Sequence, residues 1–268
     1  ILSMTSECLQ LQAINPNLCI KNDASYHDMY YMNPPAKDLS KIASSDKVKK
    51  VQKDFEATHV RPQRLMKTLF TDEAYVKANV DEARLMRRLF DLACNMQSHD
   101  TDMQLYSLFT DEECYDLWSC NNLYWYLTHA CSPVTDGLMP YREADLLRNI
   151  LDRADAALKE GKKQATLRFG HESCLLPLVA LLELNHYGES YPDVEKLSEQ
   201  WRAYDIFPMA SNVQFVFFHK KGSNDVLVKV LLNEKETKLP VKTDVAPYYH
   251  WKDVESYYRE KLDKYQHI

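Results

Sequence analysis

The amino-acid sequence predicts an α/β fold, a mixed sheet flanked by helices, with a helical cap inserted into it. Residues 165–169 are a short β-prone run lying between a long amphipathic stretch, 141–160, and a Leu-rich stretch, 174–184. Helix, strand, helix in succession is an α/β signature. Two apolar runs, Phe207–Phe218 and Val226–Leu232, flank Gly222-Ser223-Asn224-Asp225 and predict an antiparallel hairpin. Residues 20–140 read as helical throughout and form the cap. Residues 1–19 and 141–268 form the α/β domain.

Each element has its own signal. Residues 1–13 have Leu2, Leu9 and Leu11 among their apolar positions, and Asn15-Pro16-Asn17 ends that helix. Residues 24–33 are aromatic-rich and stop at Pro34-Pro35; residues 44–59 are Lys-rich and helical with a solvated face. Arg61, Arg64 and Lys67 form a basic run that reads as a solvated helix face, with the lining of a phosphate pocket as the alternative. Residues 82–98 place Leu85, Leu89, Leu92 and Cys94 on an apolar face. Residues 111–130 begin at the capping sequence Thr110-Asp111-Glu112-Glu113. Their aromatics Trp118, Tyr124, Trp125 and Tyr126 read as core, or as a pocket wall where the cap meets the α/β domain. Asp136-Gly137 marks a turn, Gly161 closes the helix of residues 141–160, and residues 250–265 form a closing helix.

Composition narrows the function classes. The chain has 268 residues, 45% hydrophobic and 27% charged, which suits a globular protein with a sizeable core. A net charge of −6 argues against general nucleic-acid binding. Only five glycines occur, and neither GxGxxG nor a P-loop is among them. No run of 18 apolar residues exists to form a spanning helix. Seven cysteines cannot all pair, and no CxxC spacing suggests zinc. Buried free thiols are the expectation for most of them, with Cys114–Cys131 pairing only if their segments fold back on each other.

The chemistry centres on Phe169-Gly170-His171-Glu172-Ser173-Cys174-Leu175-Leu176-Pro177-Leu178. Gly170 permits a tight turn, Ser173 reads as the helix N-cap, and Pro177 falls in or near the first turn. His171 and Glu172 then sit at a helix N-terminus, where free N–H groups and partial positive charge favour an anion such as phosphate. A protonated His171 binds a phosphate oxygen; a protonated Glu172 gives its proton to a departing alcohol. The local pattern alone also fits a turn with two solvated side chains.

This motif resembles the second catalytic motif of the histidine acid phosphatases, in particular the multiple inositol polyphosphate phosphatase branch. That branch usually reads His-Ala-Glu, whereas phytases and many acid phosphatases read His-Asp. His171-Glu172-Ser173 matches neither, and Glu172 takes the slot of the acid in His-Asp. Two further segments resemble the family in the same order: Ser3-Met4 with its Leu-rich helix, and Pro208-Met209-Ala210-Ser211-Asn212 before an aromatic strand. The resemblance implies a histidine-phosphatase-like fold and hydrolysis of phosphorylated small molecules through a phosphohistidine. It implies no metal or other cofactor and a periplasmic or secreted location. His171 and Glu172 are the catalytic candidates, and Arg168 is the candidate substrate contact.

No Arg-His-Gly occurs in the 268 residues. In the family this nucleophile motif lies upstream, on a central strand, so the expectation is a fragment that is inactive alone. Without that strand, an open sheet edge and a homo-oligomer are expected. The readings from other classes are a binding or interaction module without chemistry, and a degenerate phosphatase that binds inositol phosphates without turnover.

Overall fold

The structure is a computed structural model that describes residues 1–27, 29–32 and 36–265. Twelve α-helices are found among them: α1 (Leu2–Ile14), α2 (Lys37–Ala43), α3 (Asp46–His59), α4 (Gln63–Leu69), α5 (Glu73–Asn79), α6 (Glu82–Asn95), α7 (Asp111–His129), α8 (Ala144–Glu160), α9 (Glu172–Leu181), α10 (Leu197–Gln200), α11 (Ala203–Ile206) and α12 (Trp251–Tyr265). The strands are β1 (Val213–His219), β2 (Val226–Leu232), β3 (Lys235–Glu236) and β4 (Tyr249–His250).

The longest helix, α7, forms where the sequence caps it. Thr110 accepts from the Glu113 N–H at 3.2 Å, and the Glu113 carboxylate accepts from the Thr110 N–H at 2.9 Å. This reciprocal box satisfies two N–H groups that a helix start otherwise leaves without partners. Below the cap, Leu117, Leu123, Tyr126 and Leu127 enter the core. Gly161 ends α8 at φ +64, a left-handed conformation that glycine adopts without cost.

The sheet is built around β2, which pairs antiparallel with β1, β3 and β4. Phe215 faces Val230 and Phe217 faces Val228 across the predicted hairpin. Strand β1 starts at Val213 rather than Phe207, because Pro208 and the left-handed Ala210 (φ +60) break the extended run before it. Val228, Val230 and Leu232 alternate into the core, where α12 packs on β2 and Trp251 meets Phe217 edge-on at 4.9 Å. All pairing among the described strands is antiparallel.

One hydrophobic cluster runs through α3, α4, α6, α7, α8, α9, β2 and α12, so the helical stretch shares its core with the sheet. Helix α1 forms as expected but buries no residue, leaving Leu2, Leu9 and Ile14 exposed.

The expected strand at 165–169 does not form. The chain there has no regular secondary structure, and no backbone hydrogen bond involves residues 162–170 among the described residues. Leu167 is 56% and Phe169 37% exposed. β-prone side chains make a strand only when another strand supplies hydrogen-bond partners and a surface to cover them.

Candidate active site

Helix α9 is an apolar rod sunk in the core. Cys174, Leu176 to Leu181 and the following Leu182 are all buried. Its N-terminal end points out: His171, Glu172 and the preceding Gly170 are exposed. Rigid burial of the body therefore fixes an exposed helix start.

The cap differs from the expectation. His171, with extended backbone at φ −113 and ψ 166, is the N-cap residue, and Ser173 lies inside the first turn. The His171 carbonyl accepts from the Cys174 and Leu175 N–H groups, each at 3.0 Å. Pro177 is consequently two residues further in than a Ser173 cap would place it, inside the helix rather than in its first turn. The N–H groups of Glu172 and Ser173 meet no acceptor among the described residues. Two unpaired N–H donors and the positive end of the helix dipole give this end the chemistry that favours an anion. Neither the His171 nor the Glu172 side chain is held by a hydrogen bond or ion pair among the described residues, so both are free to meet a ligand.

Arg168 is engaged by α8 and by the Tyr30–Met32 turn. Its Nη2 donates to Asn149 Oδ1 on α8 at 2.6 Å, and its guanidinium carbon lies 6.0 Å from the centre of the Tyr31 ring. The Tyr30–Met32 turn crosses the same junction. Met32 O accepts from the Cys174 thiol at 3.3 Å, and a Cβ on Gly170 would come within 3.4 Å of the Met32 methyl. Burial pushes the Cys174 thiol above its usual value, so it is not a ready nucleophile.

Beneath the junction lies Glu143, 2% exposed, whose Oε2 has no hydrogen-bond partner among the described residues. Burial pushes its carboxyl up to about 8. Sequence reasoning missed Glu143, Asn149 and Tyr31, since each gains meaning only from tertiary packing.

The basic run does not line a pocket at this site. Arg61 binds Glu112 at 2.8 Å and Asp116 at 2.5 Å, Arg64 binds Glu113, and Lys67 approaches Glu73 at 3.9 Å. Cys114 lies in the first turn of α7 and Cys131 just beyond its C-terminal end. At ~1.5 Å per residue they stand roughly 25 Å apart, far beyond disulfide reach. All seven cysteines are free. No group of three or more His, Cys, Asp or Glu among the described residues is arranged to hold a metal ion.

The profile of the histidine phosphatase superfamily, branch 2, matches residues 17–233, which include this turn. The chain belongs to that superfamily. Human multiple inositol polyphosphate phosphatase 1 is 28% identical over 134 residues, covering 45% of this chain and 27% of the human protein. The Bifidobacterium longum multiple inositol polyphosphate phosphatase, solved with inositol hexasulfate, superposes with a TM-score of 0.54 at 19% identity. That match covers 90% of this chain and 59% of the bacterial one. The same enzyme solved with phosphate gives a TM-score of 0.58 at 19% identity, covering 88% and 58%. The branch 2 chain thus spans about a quarter of the human relative and under three fifths of the solved structures. No described helix is long and apolar enough to cross a membrane.

Proposed function

We propose that this chain carries the proton-donor half of a phosphomonoester hydrolase acting on inositol polyphosphates. The observation that carries the reading is the exposed His171-Glu172 pair on the free N–H end of the buried α9, in a chain of the histidine phosphatase superfamily. The substrate class is carried over from the relatives, one named for inositol polyphosphates and one solved with inositol hexasulfate.

The reaction runs in two displacements. A nucleophilic imidazole forms a P–N bond as the bond from phosphorus to the inositol oxygen breaks. Glu172 gives its proton to that departing oxygen. Water then attacks the phosphohistidine and returns a proton to Glu172, and inorganic phosphate leaves. His171 and the Glu172 and Ser173 N–H groups hold phosphoryl oxygens as charge develops on them. The nucleophile lies outside the 268 residues in this reading, because they contain no Arg-His-Gly. Residues 20–140 act as a cap over the site, and a periplasmic or secreted location follows the family. Exposed Leu167 and Phe169 support self-association of the isolated chain; light scattering that returns a monomer would overturn that point.

The test is phosphate release from inositol hexakisphosphate by the longest natural form of the protein, beside its Glu172→Gln and Ser173→Ala variants. Loss of roughly 10²-fold or more in Glu172→Gln alone supports both the activity and the donor. A wild type that releases no phosphate leaves the binding-module reading in its place.

A further inference from the structure

We propose that Arg168 is a positioning residue, one that sets His171 in place through Asn149 rather than touching the phosphate itself. The inference deepens the proposed phosphatase reading and rests on it.

The segment that delivers His171 lacks the usual means of support. Residues 162–170 make no backbone hydrogen bond and join no strand among the described residues. Their side chains make two described hydrogen bonds to the rest of the molecule. Gln164 reaches the Ala157 carbonyl at 3.4 Å, near the loop's origin at the end of α8. Arg168 reaches Asn149 at 2.6 Å, three residues before His171. Arg168 is therefore the polar tie nearest the site, and it draws the segment onto α8.

The tie is reinforced where it stands. Tyr31 flanks the guanidinium, and Met32 closes over Gly170 while its carbonyl holds the Cys174 thiol. The segment is thus held on both sides of His171, by Arg168 before it and by α9 after it. The arrangement is not optimised for stability. Arg168 Nε is buried without an acceptor among the described residues, and a buried donor left unpaired is unfavourable. A buried group left imperfectly satisfied beside a reactive turn points to a positional role. Nothing in this geometry turns the guanidinium toward His171: no hydrogen bond, ion pair or ring contact joins Arg168 to His171 or Glu172 among the described residues.

The experiment separates positioning from phosphate contact. Asn149→Ala, Arg168→Met and Arg168→Lys are compared in the longest natural form of the protein, with kcat and KM for inositol hexakisphosphate. Positioning predicts that Asn149→Ala and Arg168→Met each lower kcat on the order of 10-fold with KM held, since small displacements of a reacting group cost rate. Arg168→Lys, which keeps a donor for Asn149, recovers most of the loss. Wild-type kcat in Asn149→Ala, or a raised KM confined to the Arg168 variants, overturns the proposal. A second readout needs no turnover: backbone order parameters at Phe169 to His171 in the same natural form of the protein. They are expected to fall from rigid values near ~0.85 toward ~0.6 in Asn149→Ala; unchanged values overturn the proposal. If the wild type hydrolyses nothing, the phosphatase reading fails while the order parameters still decide the role of Arg168.

Discussion

Replacing Glu143 by glutamine isolates one buried proton. The carboxyl is 2% exposed and its Oε2 has no partner among the described residues. Burial is the largest influence and raises it from 4.5 to about 8; Arg142 pulls it down slightly and Asp145 pushes it up. The folded state therefore holds this proton more tightly than the unfolded chain does. The stabilisation is complete below about pH 4.5 and is lost as pH rises through about pH 8. At ~1.36 kcal/mol per pH unit, the span caps the effect at about 5 kcal/mol. Relaxation and water entry around the ionised group bring the expectation to about 2–3 kcal/mol. Glutamine has nearly the same shape and does not ionise. Urea denaturation of Glu143→Gln and wild type should show the variant gaining about 2–3 kcal/mol on wild type between about pH 4.5 and about pH 8. A stability difference that stays constant over that range would refute the reasoning, because it would mean the Glu143 proton is not retained on folding.

Three other outcomes follow from the packing. Leu176 is fully buried in α9, so Leu176→Ala should cost about 2–5 kcal/mol in urea melts; a loss under about 1 kcal/mol would mean α9 is not the rigid base of the site. Thr110→Ala removes the α7 capping box and should cost about 1 kcal/mol by the same assay. His250 donates from Nδ1 to Asp225 at 3.0 Å and from Nε2 to Asp244 at 2.9 Å, which requires the imidazolium and raises it to about 9. That contribution is present in full below the unfolded value of 6.5 and fades as pH rises through about 9. An NMR titration placing His250 at an ordinary ~6.5 would remove the double ion pair.

What the sequence disclosed divides along physical lines. Features that depend on a few neighbouring residues were readable. The Thr110–Glu113 cap, the Gly161 stop and the Val226–Leu232 strand all appear where local pattern places them. The run 165–169 has the same β character as β2 but finds no partner, and pairing is not a local property. The start of α9 moved from Ser173 to His171 because the buried body, not cap preference, decides where that helix begins. The candidate catalytic pair was legible as a motif. Its surroundings were not: Asn149, Tyr31 and Glu143 carry no signature in the sequence. Arg61 and Arg64 are exposed, as the solvated reading expects, and pair with carboxylates of α7.

In the proposed reaction Glu172 donates a proton to the departing oxygen. The most direct test compares Glu172→Gln with wild type on two substrates, inositol hexakisphosphate and p-nitrophenyl phosphate. The inositol oxygen needs a proton as it leaves, whereas p-nitrophenolate is stable as the anion. Proton donation by Glu172 should cost the variant roughly 10²-fold on the inositol substrate and much less on the aryl ester. Equal losses on both would contradict it, and would make Glu172 a group that holds the phosphate or the turn rather than the acid of the reaction.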